Sequence, residues 1–562
     1  MNSEERFDQL KKNVNTDEGW TGIIVGGSLS DGLEVRLAVG SSIEDVKVGR
    51  LVTIEGKSHK FFGQVSDVIL ESSDRNLSAQ SEEISNGLMS EVVTGTAAYG
   101  LIKVQPKLSV DADDIRANPQ AAKTVPPHFS KVAASTHSDI EMIFGEEAPG
   151  KFWIGSPLDM ETKLCLDINE LTKRSNGVFG KSGTGKTFLT RLLLAGILQS
   201  GKAANLVFDM HSEYGWQGYS ETENHQVKGL KQLFPSKVAI FSLDEEHSKR
   251  RGLTPDYVVK IGYKEVEPED VEILRESLNL SPQAADAAHS LYRHYGKNWL
   301  LEFLEISGTE AFNALAAQLN VNQGALSTLH RRLREFRRFE FMDTASVHDS
   351  VNQILRYLDR GINVVLEFGK YGRDTDAYIL VANLLTRRIY DRYAEYKERS
   401  LSGIGDEPIP LVITIEEAHK YLTPELANQT IFGTIAREMR KYNVTILIVD
   451  QRPSQIDEEV MSQLGTKLVC LLDNNRDVDA VLSGVSGQRK LRSVLSSLDS
   501  RQQALLFGHA LPMPVEIRVR DYGTPESYKA LGFVDAKSKK GKHQIDQDKS
   551  DLFGENNDSN LN

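Results

Sequence analysis

The hydrophobic pattern of this chain changes character along its length. From about residue 20 to 105 the apolar runs are short, rich in Val and Ile, and broken by Gly, Ser and Asp. Thr21–Gly27, Leu33–Val39, Leu51–Gly56 and Gly63–Leu70 read as strands, with a further one from Ala97 to Val104. Strands this short and this closely spaced predict a small β-barrel. The polar stretch Glu71–Asn86 between them reads as a long loop. From about residue 156 the runs become continuous: Asn205–Asp209, Val238–Ser242, Ile362–Phe368, Pro410–Glu416, Val444–Val449 and Lys467–Leu472. Unbroken apolar strands separated by helices predict a sheet buried on both faces, hence an α/β fold. Residues 266–345 interrupt the alternation with helical periodicity, clearest in Pro282–Tyr292 and Ala311–Leu319.

These patterns divide the chain into an N-terminal barrel (1–105), a connector (106–155) carrying the Pro126-Pro127 break, a first part of the α/β core (156–265), and a helical insertion (266–345). A second part of the core with a C-terminal brace (346–525) and a polar, disordered tail (526–562) complete it. No apolar run reaches the length of a membrane span, and the start Met1-Asn-Ser-Glu-Glu is no signal peptide. The expectation is a cytoplasmic protein without membrane contact. Cys165 and Cys470 sit in apolar surroundings and read as buried, reduced thiols. The net charge of −13 excludes a surface broadly coated for nucleic acid but leaves room for a narrow basic channel. The basic run His330–Arg338 reads as a solvated helix face or subunit contact in preference to a DNA contact.

The chemistry is concentrated at strand ends. Asn176-Gly-Val-Phe-Gly-Lys-Ser-Gly-Thr-Gly-Lys-Thr187 fits G-x-x-x-x-G-K-[ST] and runs into the apolar helix that a P-loop requires. Gly180, Lys181, Ser182, Gly183, Thr184 and Gly185 would cradle phosphates with backbone N–H groups. Lys186 would reach the β/γ-phosphates, and the Thr187 hydroxyl would hold Mg²⁺. A second strand must then bring a carboxylate to the metal and a base to water. Glu416 ends the run Pro410–Glu416 and is the metal candidate; Glu417 follows and is the catalytic candidate. Asp209, His211 and Glu213 close another strand, at the carboxyl edge where open α/β sheets bind ligands. Arg437, Arg440 and Lys441 fall on one expected helix, and Gln451 follows the next strand, where it can sense a γ-phosphate.

Taken in order, the glycine loop, Asp209-Met-His-Ser-Glu-Tyr214, Glu416-Glu-Ala-His419, Arg437-Glu-Met-Arg-Lys-Tyr442 and Gln451-Arg-Pro-Ser454 resemble the HerA family of hexameric DNA-translocating ATPases, relatives of FtsK. The resemblance spans roughly residues 20 to 522. It implies a RecA-like P-loop core, a homohexameric ring, ATP hydrolysis with Mg²⁺ at subunit interfaces, and double-stranded DNA in the central channel. It implies Arg440 as the arginine acting in trans and Gln451 as the sensor. Family members commonly work with a nuclease such as NurA, and some bacterial relatives serve antiphage systems with sirtuin-like or nuclease effectors. Two readings follow: a DNA motor working with a partner, or an ATPase scaffold that assembles and licenses an effector. The chain departs from the family at Glu416, where Asp is usual, and at Met439, where Gly is frequent.

Overall fold

The computed structural model describes residues 21–38, 41–72, 98–112, 118–220, 225–344, 349–420, 422–425, 427, 431–485, 487–499 and 501–533. The loop expected over Glu71–Asn86 falls outside them beyond Ser72, as does the tail beyond 533. The chain divides into two compact units: the residues up to Lys186 with Asp450–Arg520, and Thr187–Val449 with the residues from Asp521 onward.

The first unit opens with the barrel. Its strands are β1 (Thr21–Ser28), β2 (Gly32–Leu37), β3 (Leu51–Glu55), β4 (His59–Ser72), β5 (Ala98–Asp111), β6 (Gln120–Ala121) and β7 (Lys131–Ala134). They run in the order β2-β1-β7-β3-β4-β5-β6, and pairing of β2 with β5 closes the ring. Period-two patterning makes the barrel: β2 buries Leu33, Val35 and Leu37 and turns Glu34 and Arg36 outward. Register shifts in the long β4–β5 pair, at Phe62/Gly63 and Val65/Asp67, bend those strands around the core. The barrel does not end at residue 105. β7 lies in the stretch read as connector, yet it pairs with both β1 and β3 and supplies Val132 to the core. Four residues are too few to show a period in the sequence.

Beside β7, the helix His137–Phe144 opens with a capping box in which Thr136 and Asp139 satisfy each other's backbone N–H groups. Asp139 is buried and also accepts from Lys60 Nζ at 2.5 Å and Thr53 Oγ1 at 3.0 Å. Burial pushes its pKa up, but the hydrogen bonds from Lys60 and Thr136 outweigh that and hold it below the ordinary Asp value. The remainder of this unit is a mixed sheet in the order Asn176–Phe179, Thr466–Val469, Gln503–Gly508, Val515–Val519, Lys151–Pro157 and Leu164–Asp167. Only its first pair is parallel.

The second unit holds a parallel sheet in the order Tyr257–Val258, Val238–Ser242, Asn363–Glu367, Ala204–Asp209, Leu411–Glu416 and Val444–Asp450. The helical insertion leaves this sheet through Ile261–Gly262 and returns through Met342–Asp343, which pair in parallel and pin its two ends together. Inside it, fully buried Trp299 donates its indole N–H to Val266 O at 2.9 Å. Part of the basic run is engaged within the chain. Arg338 bonds Asp374 at 3.0 Å and Asp376 at 3.2 Å, Arg337 donates to Leu304 O, and His330 packs edge-on against Phe303 and Phe312.

The stretch read as tail begins too early. Pro525–Ala530 is a helix capped by Thr524, and Tyr528 accepts from the Lys228 backbone at 2.8 Å. Among the described residues no helix is long and apolar enough to cross a membrane. Both cysteines are buried free thiols.

Asp139→Ala removes a buried hub while leaving Thr53 and Lys60 without their acceptor. It is expected to cost about 3 kcal/mol, read as a lowered thermal or urea midpoint.

Candidate active site

The P-loop begins where the strand Asn176–Phe179 ends. Its glycines are required for two different reasons. Gly183 (φ 80°) and Gly185 (φ 96°) take the left-handed conformation with open space around the Cβ position, so there the backbone angle is what excludes other residues. At Gly180 a Cβ would lie 2.7 Å from Cys470 Cβ and 2.9 Å from Thr184 Oγ1, so there the obstacle is space. The loop is pinned by Lys181 N–H to Leu471 O at 2.9 Å and by Thr184 Oγ1 to Lys181 O at 2.7 Å. An ion pair joins Lys181 to Asp473, and Lys181, Ser182 and Gly183 are exposed. Burial pushes the Cys470 thiol up to about 12, so it is an inert floor beneath the loop. Lys186 and Thr187, both half-buried, start the helix Lys186–Ser200, whose free N–H groups face an anion site by construction.

Thr187 belongs to the second unit, where the acids gather. Parallel register pairs Asp209 with Glu367, and Phe208 with Ile415, so Asp209, Glu367 and Glu416 all stand at strand ends. Asp209 is fully buried and accepts the backbone N–H groups of Glu213 and Tyr214 at 2.8 Å and of Gly215 at 3.3 Å. This folds the segment after the strand into a tight turn, with Ser212 left-handed at φ 56°. The turn aims two side chains. Glu213 Oε2 accepts from Thr187 Oγ1 at 3.0 Å, and the Tyr214 hydroxyl donates to Glu416 Oε1 at 2.9 Å. The guanidinium of buried Arg191 holds the Glu213 carbonyl.

The electrostatics describe a site short of positive charge. Burial, with Asp209 and Glu213 nearby, pushes the Glu416 carboxyl well above its ordinary value. Burial, with Asp209 again adding, pushes Glu367 up to about 8 despite Arg251 at 3.9 Å. Burial likewise raises Asp209, against three backbone donors. Glu416 Oε2 is buried and, among the described residues, has no hydrogen-bond partner. An orphaned carboxylate oxygen among other acids, with the Thr187 hydroxyl bonded to one of them, fits a divalent cation held through oxygen ligands.

The other expected residues fall as follows. Glu417 is half-buried, left-handed at φ 49°, and 3.4 Å from His419 Nδ1. Its N–H donates to Val449 O at 3.0 Å, which locks the strained backbone. His211 is exposed. The helix expected to carry three cations stops short. Ile431–Glu438 is helical with Arg437, but Arg440 and Lys441 lie on the 3₁₀ turn Met439–Tyr442. Arg437 donates to Ala427 O at 3.3 Å, Lys441 lies 3.8 Å from Glu438, and Arg440 is exposed. Gln451 directly follows the strand Val444–Asp450 and is half-buried. Sequence reasoning gave no role to Tyr214, although it stands in the motif Asp209–Tyr214, and missed Arg191 and Glu367. Of these two only Glu367 left a signal, as the acid near the end of the apolar run Ile362–Phe368.

For the metal-free protein a pH dependence follows from Glu367. Its folded pKa lies above the ordinary Glu value, so its stabilising contribution is complete at low pH and is lost as pH rises through about 8. Glu367→Gln is expected to gain on wild type between pH 5 and 8 by up to roughly 1.4 kcal/mol per pH unit, measured by thermal melts without divalent ions.

Residues 152–389 match the family model described as Helicase HerA, central domain, and residues 21–95 match the HAS barrel domain. The DNA double-strand break repair helicase HerA of Saccharolobus solfataricus is 25% identical over 402 residues, covering 70% of this chain and 73% of the relative. The protein of the same description from Sulfurisphaera tokodaii is 24% identical over 522 residues, covering 89% and 92%. Among solved structures, the bacterial conjugative coupling protein TrwB is 12% identical over 72% of this chain and 95% of its own, with a TM-score of 0.45, too low to carry an argument. Both domain models thus match in the expected places, and over its barrel and central domain the chain is similar to HerA helicases.

Proposed function

We propose that this chain is an ATP-driven motor that translocates on double-stranded DNA as a homohexameric ring and works with a partner effector. The observation that carries the reading is the Thr187 hydroxyl, directly after the glycine loop in the chain, held by Glu213, together with a Glu416 Oε2 that has no partner among the described residues. In this reading the P-loop amides and Lys186 bind the triphosphate. Mg²⁺, when bound, would be held through Thr187 and Glu416 and would offset charge on the β- and γ-phosphates. Glu417 orients and polarises the attacking water, its carboxylate steadied by His419. Gln451 senses the γ-phosphate.

Arg440 acts on a neighbouring subunit's nucleotide. Its exposure supports that role, since Arg437 and Lys441 already have partners in their own chain. The relatives named as DNA double-strand break repair helicases support DNA as the track. The partner is a nuclease or a sirtuin-like effector.

Two measurements test this. Glu417→Gln is expected to bind ATP with wild-type affinity while turnover falls at least roughly 100-fold, the loss typical of removing a general base; near-normal turnover would remove Glu417 from its role. The wild-type ATPase rate is expected to rise several-fold with duplex DNA at low salt and to lose that gain as salt screens the phosphate contacts. A rate indifferent to DNA that rises only with an effector protein would replace the motor with an antiphage-type scaffold.

A further inference from the structure

We propose that Tyr214 is the positioning residue of the cation site. Its hydroxyl takes one oxygen of Glu416 and so presents the other to the metal, while the adjacent Glu213 fixes the Thr187 hydroxyl. The inference rests on the reading of Thr187 and Glu416 as metal-facing groups.

The phenol is held at both ends by acids. The Tyr214 backbone N–H donates to Asp209 Oδ2 at 2.8 Å, and its hydroxyl donates to Glu416 Oε1 at 2.9 Å. The ring is fully buried, so neither water nor a second rotamer competes for that bond. A carboxylate with both oxygens free could rotate. With Oε1 taken, Glu416 has one orientation, and Oε2 is the oxygen left without a partner among the described residues. The neighbouring residue does the complementary work: Glu213 Oε2 accepts from Thr187 Oγ1, and Arg191 holds the Glu213 carbonyl. One turn thus sets the two groups that face the cation. Partners of this kind, which orient ligands without touching the metal, commonly control affinity.

The arrangement also accounts for Glu416 in place of an aspartate. The extra methylene carries the carboxylate as far as the Tyr214 hydroxyl. A shorter side chain would withdraw from that donor, so the tyrosine and the longer acid form a matched pair.

The test is the ratio of ADP affinities with and without Mg²⁺, measured by calorimetry on the full chain, with the thermal midpoint recorded for each variant. Tyr214→Phe keeps the ring and deletes only the donor. It is expected to leave metal-free ADP affinity within about twofold of wild type and to shrink the Mg²⁺-dependent ratio about tenfold or more, the scale of lost outer-shell partners. Glu416→Asp, the second variant, is expected to shrink the ratio similarly, and the double variant no further, because each change breaks the same bond. A Tyr214→Phe ratio equal to wild type overturns the proposal, as do additive losses in the double variant. A purely structural tyrosine would lower the thermal midpoint and leave the ratio untouched. If wild type itself binds ADP equally with and without Mg²⁺, the metal reading of Thr187 and Glu416 fails, and this proposal falls with it.

Discussion

Three carboxyl groups, Asp209, Glu367 and Glu416, lie buried at the ends of adjoining parallel strands, and the organisation of the second unit follows from how each is compensated. Burying an ionised carboxylate costs several kcal/mol unless it is paired or hydrogen-bonded. Asp209 is met by three backbone N–H groups, which is why the chain after it turns so tightly. Glu416 is met on one oxygen only. Glu367 has an arginine at 3.9 Å and otherwise answers by a raised pKa. The remaining deficit of positive charge is the property a divalent cation would satisfy. The surrounding sheet, with every strand parallel and apolar, supplies rigidity and low polarity, which strengthens any such interaction.

Some of the backbone strain falls in the same place. Ser212 and Glu417, two of the non-glycine residues in the left-handed region, each stand directly beside a carboxylate of this cluster. Such backbone costs on the order of 1–3 kcal/mol and persists only where the surroundings impose it. At Ser212 the imposition comes from Asp209, and at Glu417 from the bond to Val449. Both put an acid where a continued strand or a relaxed turn would not.

Much of this was legible in the sequence, for identifiable reasons. Val238–Ser242 and Leu411–Glu416 were readable because strands buried on both faces are continuous apolar runs. The P-loop was readable because its chemistry is contiguous. What escaped reading depends on distance or on weak local signal. Tyr214 and Glu416 are 202 residues apart, so their bond leaves no local trace. The barrel strand Lys131–Ala134 is too short to show a period, and the helix Pro525–Ala530 is polar outside its buried Ser527 and Tyr528. The cationic helix was overextended because nothing in Arg437–Tyr442 marks the change to a 3₁₀ turn. Charge alone could not decide the run His330–Arg338; the acids that answer Arg338 come from Asp374 and Asp376.

On the proposed reading, the buried acids around Glu416 receive a cation together with nucleotide. Proton release measures it most directly. Calorimetry of Mg²⁺–ADP binding in buffers of different ionisation enthalpy reports the protons expelled when a cation displaces them from carboxyl groups held above their ordinary pKa. Net release is expected at pH 7, absent when ADP binds without Mg²⁺ and reduced in Glu367→Gln, whose carboxyl is held up at about 8. Binding of Mg²⁺–ADP with no change in bound protons, in the wild type, would contradict it.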